Sequence, residues 1–116
     1  MRFLCLYKRG KAETNTPPSQ AEMTAMGRLI EDMSKAGVLL ATEGCLSSEH
    51  GMRVTVDAGM FHVSDGPFSE QELVSGLCMM QVKSKAEAIE WCKRFLSVVK
   101  VGQSEVYQLH DYNPAA

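Results

Sequence analysis

The chain has 116 residues, 45% of them hydrophobic and 22% charged, with a net charge of −2. That length suits one domain, spanning 1–116, able to bury roughly two thirds of its unfolded surface. The slightly acidic balance provides no general attraction for nucleic acid or an anionic membrane, so neither is expected as a partner.

Four cysteines, Cys5, Cys45, Cys78 and Cys92, fall at wide spacings with no C-x-x-C and no zinc-ligand grouping with histidine. No metal or cofactor is therefore expected. Three of them lie in apolar segments, where a free thiol behaves as a small hydrophobe. This points to a reducing compartment and a cytoplasmic location. The first apolar run is too short for a signal-peptide core. No apolar stretch reaches the ~18 residues of a membrane span.

In chain order, Phe3 to Tyr7 reads as a buried strand, apolar and bounded by Lys8-Arg9-Gly10. A polar loop follows to Pro18. Ser19-Gln20-Ala21-Glu22 is a capping box that opens a helix from about Gln20 to Ala36. Met23, Met26, Ile30 and Met33 form its apolar stripe, read as core rather than as a ligand site. Gly37 supplies its left-handed cap. Val38 to Thr42 is β-prone. Arg53–Asp57 and Met60–Ser64 flank Ala58-Gly59, a two-residue hairpin loop. The alternation of Val54 and Val56 with polar neighbours predicts a half-buried strand.

Leu77 to Val82 is the next strand. A second capping box, Ser84-Lys85-Ala86-Glu87, starts a helix with an inner stripe of Ala88, Cys92, Phe95 and Val99, and with Ile89 and Leu96 beside it. Glu105 to Leu109 is the last strand, and residues 111–116 read as a frayed tail. Two β-α-β units with a hairpin between them predict an α+β, ferredoxin-like split βαβ fold. Right-handed crossovers place both helices on one face of an antiparallel sheet. The first strand carries Phe3, Cys5 and Tyr7 on one face and Leu4 and Leu6 on the other, so the second face needs cover. A second copy of the chain is the expected cover, hence a homodimer.

The segment most suggestive of a site is Val63 to Glu72, VSDGPFSEQE. An aspartate opening a turn ordinarily accepts from the amide two residues on. Here that residue is Pro67, which has no N–H. Asp65 must reach the amide of Phe68 or Ser69, or stay free. Gly66 permits angles that a side chain would forbid. Ser69 and Glu72 repeat the capping pattern, with Glu70 a favourable first-turn charge. Alternatively, Asp65, Glu70 and Glu72 converge in a poorly solvated cleft, where one of them would act as general acid or base. His62 is the best-placed histidine for proton transfer, although a surface position on the hairpin is the structural alternative. Tyr7, ending the first strand, is either core or a phenol at a cleft. No P-loop, dinucleotide fingerprint or nucleophile elbow is present.

Asp65-Gly66-Pro67-Phe68, followed by Glu70, Glu72-Leu73-Val74 and Gly76, resembles the DGPF signature of the YCII-related family. Ala36-Gly37-Val38-Leu39 with Glu43-Gly44-Cys45-Leu46, and Ala86 to Trp91, resemble that family's second strand and second helix. The resemblance implies a ferredoxin-like fold that dimerises into an α+β barrel with a cleft near the interface. It also implies, in members regarded as enzymes, a histidine eleven residues before the glycine that ends the first helix. Here that position is Met26. The lysine that commonly follows the signature is missing as well. Glu43 follows the second strand in a segment where the resemblance is good. An acid so close to an apolar strand is either a lining residue of the dimer cleft or a rim charge.

The expected function is thus a homodimer that binds a small organic molecule in an interface cleft. Asp65 and His62 are the candidates for acid/base chemistry, and Tyr7, Glu43, Gly66, Pro67, Phe68, Glu70 and Glu72 are candidates for the ligand. The alternative is a non-catalytic ligand-binding or protein-interaction module.

Overall fold

Two serines start the helices, as their spacing from a glutamate requires. The Ser19 hydroxyl accepts from the Glu22 amide at 3.1 Å, and the Ser84 hydroxyl from the Glu87 amide at 3.1 Å. Each satisfies one of the amides that a helix leaves without a partner. In the second box the glutamate also reaches back, Glu87 Oε2 accepting from the Lys83 amide at 3.0 Å. The helices they open are Gln20–Lys35 (α1) and Lys85–Val99 (α2). Past the end of α1, Gly37 adopts φ 72°, and its amide donates to the Ser34 carbonyl at 3.1 Å. The end of α2 has no such glycine. Lys100 itself takes the left-handed conformation, φ 63°, with its amide on the Leu96 carbonyl at 2.8 Å.

The computed structural model describes residues 1–10, 17–69 and 73–111. Its strands are Arg2–Lys8 (β1), Leu39–Gly44 (β2), Met52–Asp57 (β3), Met60–Asp65 (β4), Gly76–Gln81 (β5) and Gln103–Gln108 (β6). They form a mixed α/β structure of two antiparallel sheets, one of four strands in the order β2-β5-β1-β6 and one the hairpin β3-β4. Phe3 and Cys5 of β1 and Met80 of β5 are buried together with Leu29 and Met33 of α1 and Ala88 and Cys92 of α2. Both helices therefore cover one face of the larger sheet. On the other face the register sets Leu4 beside Met79 and Leu6 beside Leu77, with no helix over them among the described residues. The molecule measures only 20 Å along its short axis, the thickness of one sheet and one helix layer.

The stripe of α1 is rotated from the one expected. In α1 the buried residues are Leu29 and Met33, with Met26 packed against them, whereas Met23 is 48% exposed. In α2 the expected inner stripe holds, with Ala88 and Cys92 buried, Phe95 packed against them and Val99 on the same inner side, while Ile89, expected beside it, points outward at 42% exposure. Leu29 completes the i, i+3, i+4, i+7 series Met26, Leu29, Ile30, Met33, and at ~100° per residue it and Met23 flank the shared stripe on opposite sides, so the helical repeat accommodates either.

The hairpin corrects a second expectation. Ala58 (φ 50°) and Gly59 (φ 80°) are both left-handed, the turn that suits the twist of two paired strands. Yet every residue of β3 and β4 is exposed, so neither strand is half-buried. Cross-strand pairing places Met52, Val54 and Val56 beside Asp65, Val63 and Phe61 on one face, with Phe61 75% exposed. The alternation is real, but no layer among the described residues packs against its apolar side.

The hairpin is anchored at its base. The Gly66 amide donates to the Gly51 carbonyl at 3.0 Å, and the Phe68 amide to the Ser48 hydroxyl at 2.8 Å. The Arg53 guanidinium lies over the Phe68 ring, 4.4 Å from its centroid. The Gly66–Pro67 peptide is cis. Gly66 does not use the left-handed region, so its permissive backbone angles are not the reason for it. A Cβ there would come within 1.7 Å of the Ser48 carbonyl oxygen, and close approach is what requires glycine.

Candidate functional site

Between the helices and the inner face of the four-stranded sheet lies a cavity of about 500 Å³. Helical spacing brings Met26, Ile30 and Met33 of α1 to one wall, and Trp91 and Phe95 of α2 to another. Met80 of β5 lies on the sheet side. A pocket of this size and apolar character suits a small organic molecule.

Three thiols share the lining. Cys5 and Cys78 are cross-strand partners, and the Cys5 and Cys92 sulfurs lie 3.7 Å apart. Burial pushes the Cys78 thiol up to about 11. The Cys92 thiol beside it, together with burial, raises Cys5 well above the ordinary range. Cys5 and Cys78 are thus neutral near pH 7 and act as small apolar wall residues rather than as nucleophiles.

The mouth of the cavity is polar and is built from four segments. Tyr7, at the end of β1, donates its hydroxyl to the Val101 carbonyl at 2.6 Å, and its ring meets Phe95 edge-on at 4.9 Å. Gly102 makes this possible, since a Cβ there would meet the Lys8 carbonyl oxygen at 2.4 Å and the Tyr7 ring at 2.9 Å. Burial raises the Tyr7 pKa, with the Arg9 charge opposing and the Glu22 charge adding to the rise. The segment entering β5 closes the mouth, the Ser75 amide donating to the Tyr7 carbonyl at 2.7 Å and the Cys45 amide to the Ser75 carbonyl at 3.0 Å. A smaller recess of about 200 Å³ shares Tyr7, Glu22, Ser75 and Val99 with the cavity and adds Arg9 and Leu73.

Of the residues singled out from the sequence, Tyr7 and Glu43 border the cavity. The register opposes Glu43 to Leu77 and Leu77 to Leu6, which assigns the Glu43 side chain to the uncovered face. Gly66, Pro67 and Phe68 form the hairpin base, and none of them borders the cavity or the recess. The Phe68 amide, a candidate partner for Asp65, is taken by Ser48. Asp65 is exposed at the end of β4. His62 is exposed on the same strand, paired with Thr55 and so on the opposite face from Asp65. The single chain does not bring these two together. Glu70 and Glu72 lie outside the described residues.

Sequence reasoning did not assign Glu22, Met26 or the thiols to a site. The signal was present in the α1 spacing, because Glu22, Met26, Leu29 and Met33 lie on one helix face. The capping box had claimed Glu22, but only its backbone amide takes part in the cap.

A family model described as the YCII-related domain matches residues 1–113. The chain belongs to the YCII-related family. No curated protein matched it. Among solved structures it is similar to 5-chloro-2-hydroxyhydroquinone dehydrochlorinase from Burkholderia phenoliruptrix, in complex with 2,5-dihydroxybenzoquinone. The identity is 9%, the match covers 95% of this chain and 94% of that one, and the TM-score is 0.49. In this YCII-related chain the helix position at which the resemblance implied a histidine is a cavity wall, occupied by Met26.

Proposed function

We propose that this YCII-related chain is a homodimeric small-molecule-binding protein that takes a compact, largely apolar organic compound into the cavity between helices and sheet. The observation that carries the reading is the cavity itself, about 500 Å³ and walled by methionine, aromatic and thiol side chains. Each protomer would have the ferredoxin-like arrangement, and the two sheets would close into an α+β barrel through their uncovered faces. Two features support the dimer. The sheet face around Leu4, Leu6, Leu77 and Met79 has no helix over it among the described residues. The hairpin face of Met52, Val54, Val56, Phe61 and Val63 is 60% or more exposed at every position. At roughly 100 Å² of apolar surface per side chain the patch is on the order of 500 Å², the size of the contiguous apolar patches that commonly mark interaction sites.

Titration with toluene, followed by NMR shifts of the methionine methyl groups, tests the ligand reading. Saturable shifts at Met26 and Met33 are expected, with loss of binding in Ile30→Trp, which fills the space. Absence of saturable shifts overturns it. Sedimentation velocity tests the dimer. Val54→Lys combined with Phe61→Lys converts it to monomer, and a wild-type chain that sediments as a monomer at micromolar concentration overturns it.

Catalysis is the second reading, supported by the place of Asp65 on the apolar hairpin face, which the dimer would bury. There a carboxylate against the partner would be poorly solvated and suited to proton transfer, with His62 at the rim. Deuterium incorporation into small cyclic carbonyl compounds in D₂O measures this. Incorporation that persists in Asp65→Asn removes Asp65 from the chemistry.

A further inference from the structure

We infer that Glu22 is the hydrogen-bond acceptor that orients the bound molecule, so that the cavity selects apolar compounds with one donor group, a hydroxyl or an ammonium, at one end. This rests on the reading of the cavity as a small-molecule site and names the ligand class it takes. Glu22 borders both the apolar cavity and the polar recess, at their junction. It stands one helical turn before Met26 on the face that lines the cavity. Its carboxylate makes no hydrogen bond or ion pair with the described residues, and it is half-buried. It stands in the first turn of α1, where a carboxylate presents acceptor oxygens on the side of the helix that faces the cavity.

Tyr7, Glu43 and Arg9 do not supply a donor to Glu22. The Tyr7 hydroxyl proton is committed to the Val101 carbonyl. Glu43 belongs to the other face of the sheet. Arg9 borders the outer recess and not the cavity, and it is exposed, so its charge acts on the solvent side of the mouth. A molecule whose apolar body fills the cavity meets Glu22 before it meets Arg9. Desolvation by that body makes an unmatched head group costly and a donor on the carboxylate favourable.

Four probes of one size separate the possibilities: toluene, phenol, benzylamine and benzoate, titrated into the full chain at pH 7. Benzylammonium and phenol are expected to bind more tightly than toluene, and benzoate more weakly. In Glu22→Gln the advantage of benzylammonium over toluene falls about tenfold, while toluene affinity stays within twofold. Unchanged toluene binding also shows that the variant is folded and its cavity intact. If toluene binds but the head-group preference ignores Glu22→Gln, the role of Glu22 is overturned and the cavity reading stands. If benzoate binds best and Arg9→Gln removes that preference, an anion site replaces the donor site. If none of the four binds, both readings fall.

Discussion

The Tyr7 hydroxyl donates to the Val101 carbonyl at 2.6 Å, tying the end of β1 to the connection between α2 and β6. Ninety-four positions separate the two residues, yet this contact sets one side of the cavity mouth. Tyr7→Phe removes a single part-buried hydrogen bond and leaves the carbonyl with one partner fewer. It should lower stability by about 1 kcal/mol. Gly102→Ala should cost more, because Gly102 adopts φ 91° and an added Cβ meets backbone on two sides. Urea denaturation of the two variants checks the order, and Tyr7→Phe costing more than Gly102→Ala would contradict it.

Gly66→Ala tests the account of the DGPF turn. A methyl group has no space beside the Ser48 carbonyl, and both neighbours are backbone atoms that cannot rotate away. The hairpin base must separate from the Ser48–His50 turn, at a cost of roughly 1–3 kcal/mol. The amide protons of Gly66 and Phe68 should lose protection from exchange in that variant. If both stay as protected as in the wild type, the close approach does not govern this turn.

The rotated stripe of α1 makes a paired prediction. Leu29 is 3% exposed and Met23 is 48% exposed. Leu29→Ala should lower stability by about 2–5 kcal/mol, and Met23→Ala by less than about 0.5 kcal/mol. Thermal unfolding of both distinguishes this packing from a stripe that runs through Met23, which would give comparable losses.

Alkaline pH should loosen the core. The Cys78 thiol, ordinarily near 9.0, is pushed up to about 11 by burial in the folded chain. Its unfolded form therefore loses the proton first. Stability is full below pH 9 and declines between pH 9 and 11, because over that interval the folded state holds more protons than the unfolded one. Denaturation midpoints measured across that range should fall, and Cys78→Val should shallow the decline. An equal slope in the variant would assign the effect to other groups.

Local rules made much of this protein legible. Ser19 and Ser84 mark their helix starts because the capping bond spans only three residues, and Ala58-Gly59 marks the hairpin because both positions must take positive φ. The alternating faces of β1 could be read for the same reason, as a strand shows its neighbours in turn to either side. What lay beyond reach depended on how distant segments meet. Periodicity alone does not say which arc of α1 faces the sheet, so Leu29 was passed over for Met23. It does not say whether an apolar hairpin face has a partner within the chain, and Val54, Val56 and Phe61 have none among the described residues. The role of Gly66 follows from a carbonyl eighteen positions earlier, which no turn rule contains. The cavity mouth joins Tyr7, Glu22, Ser75 and Val101, which come from four separate stretches of chain. Only tertiary packing could bring Glu22 beside the other three.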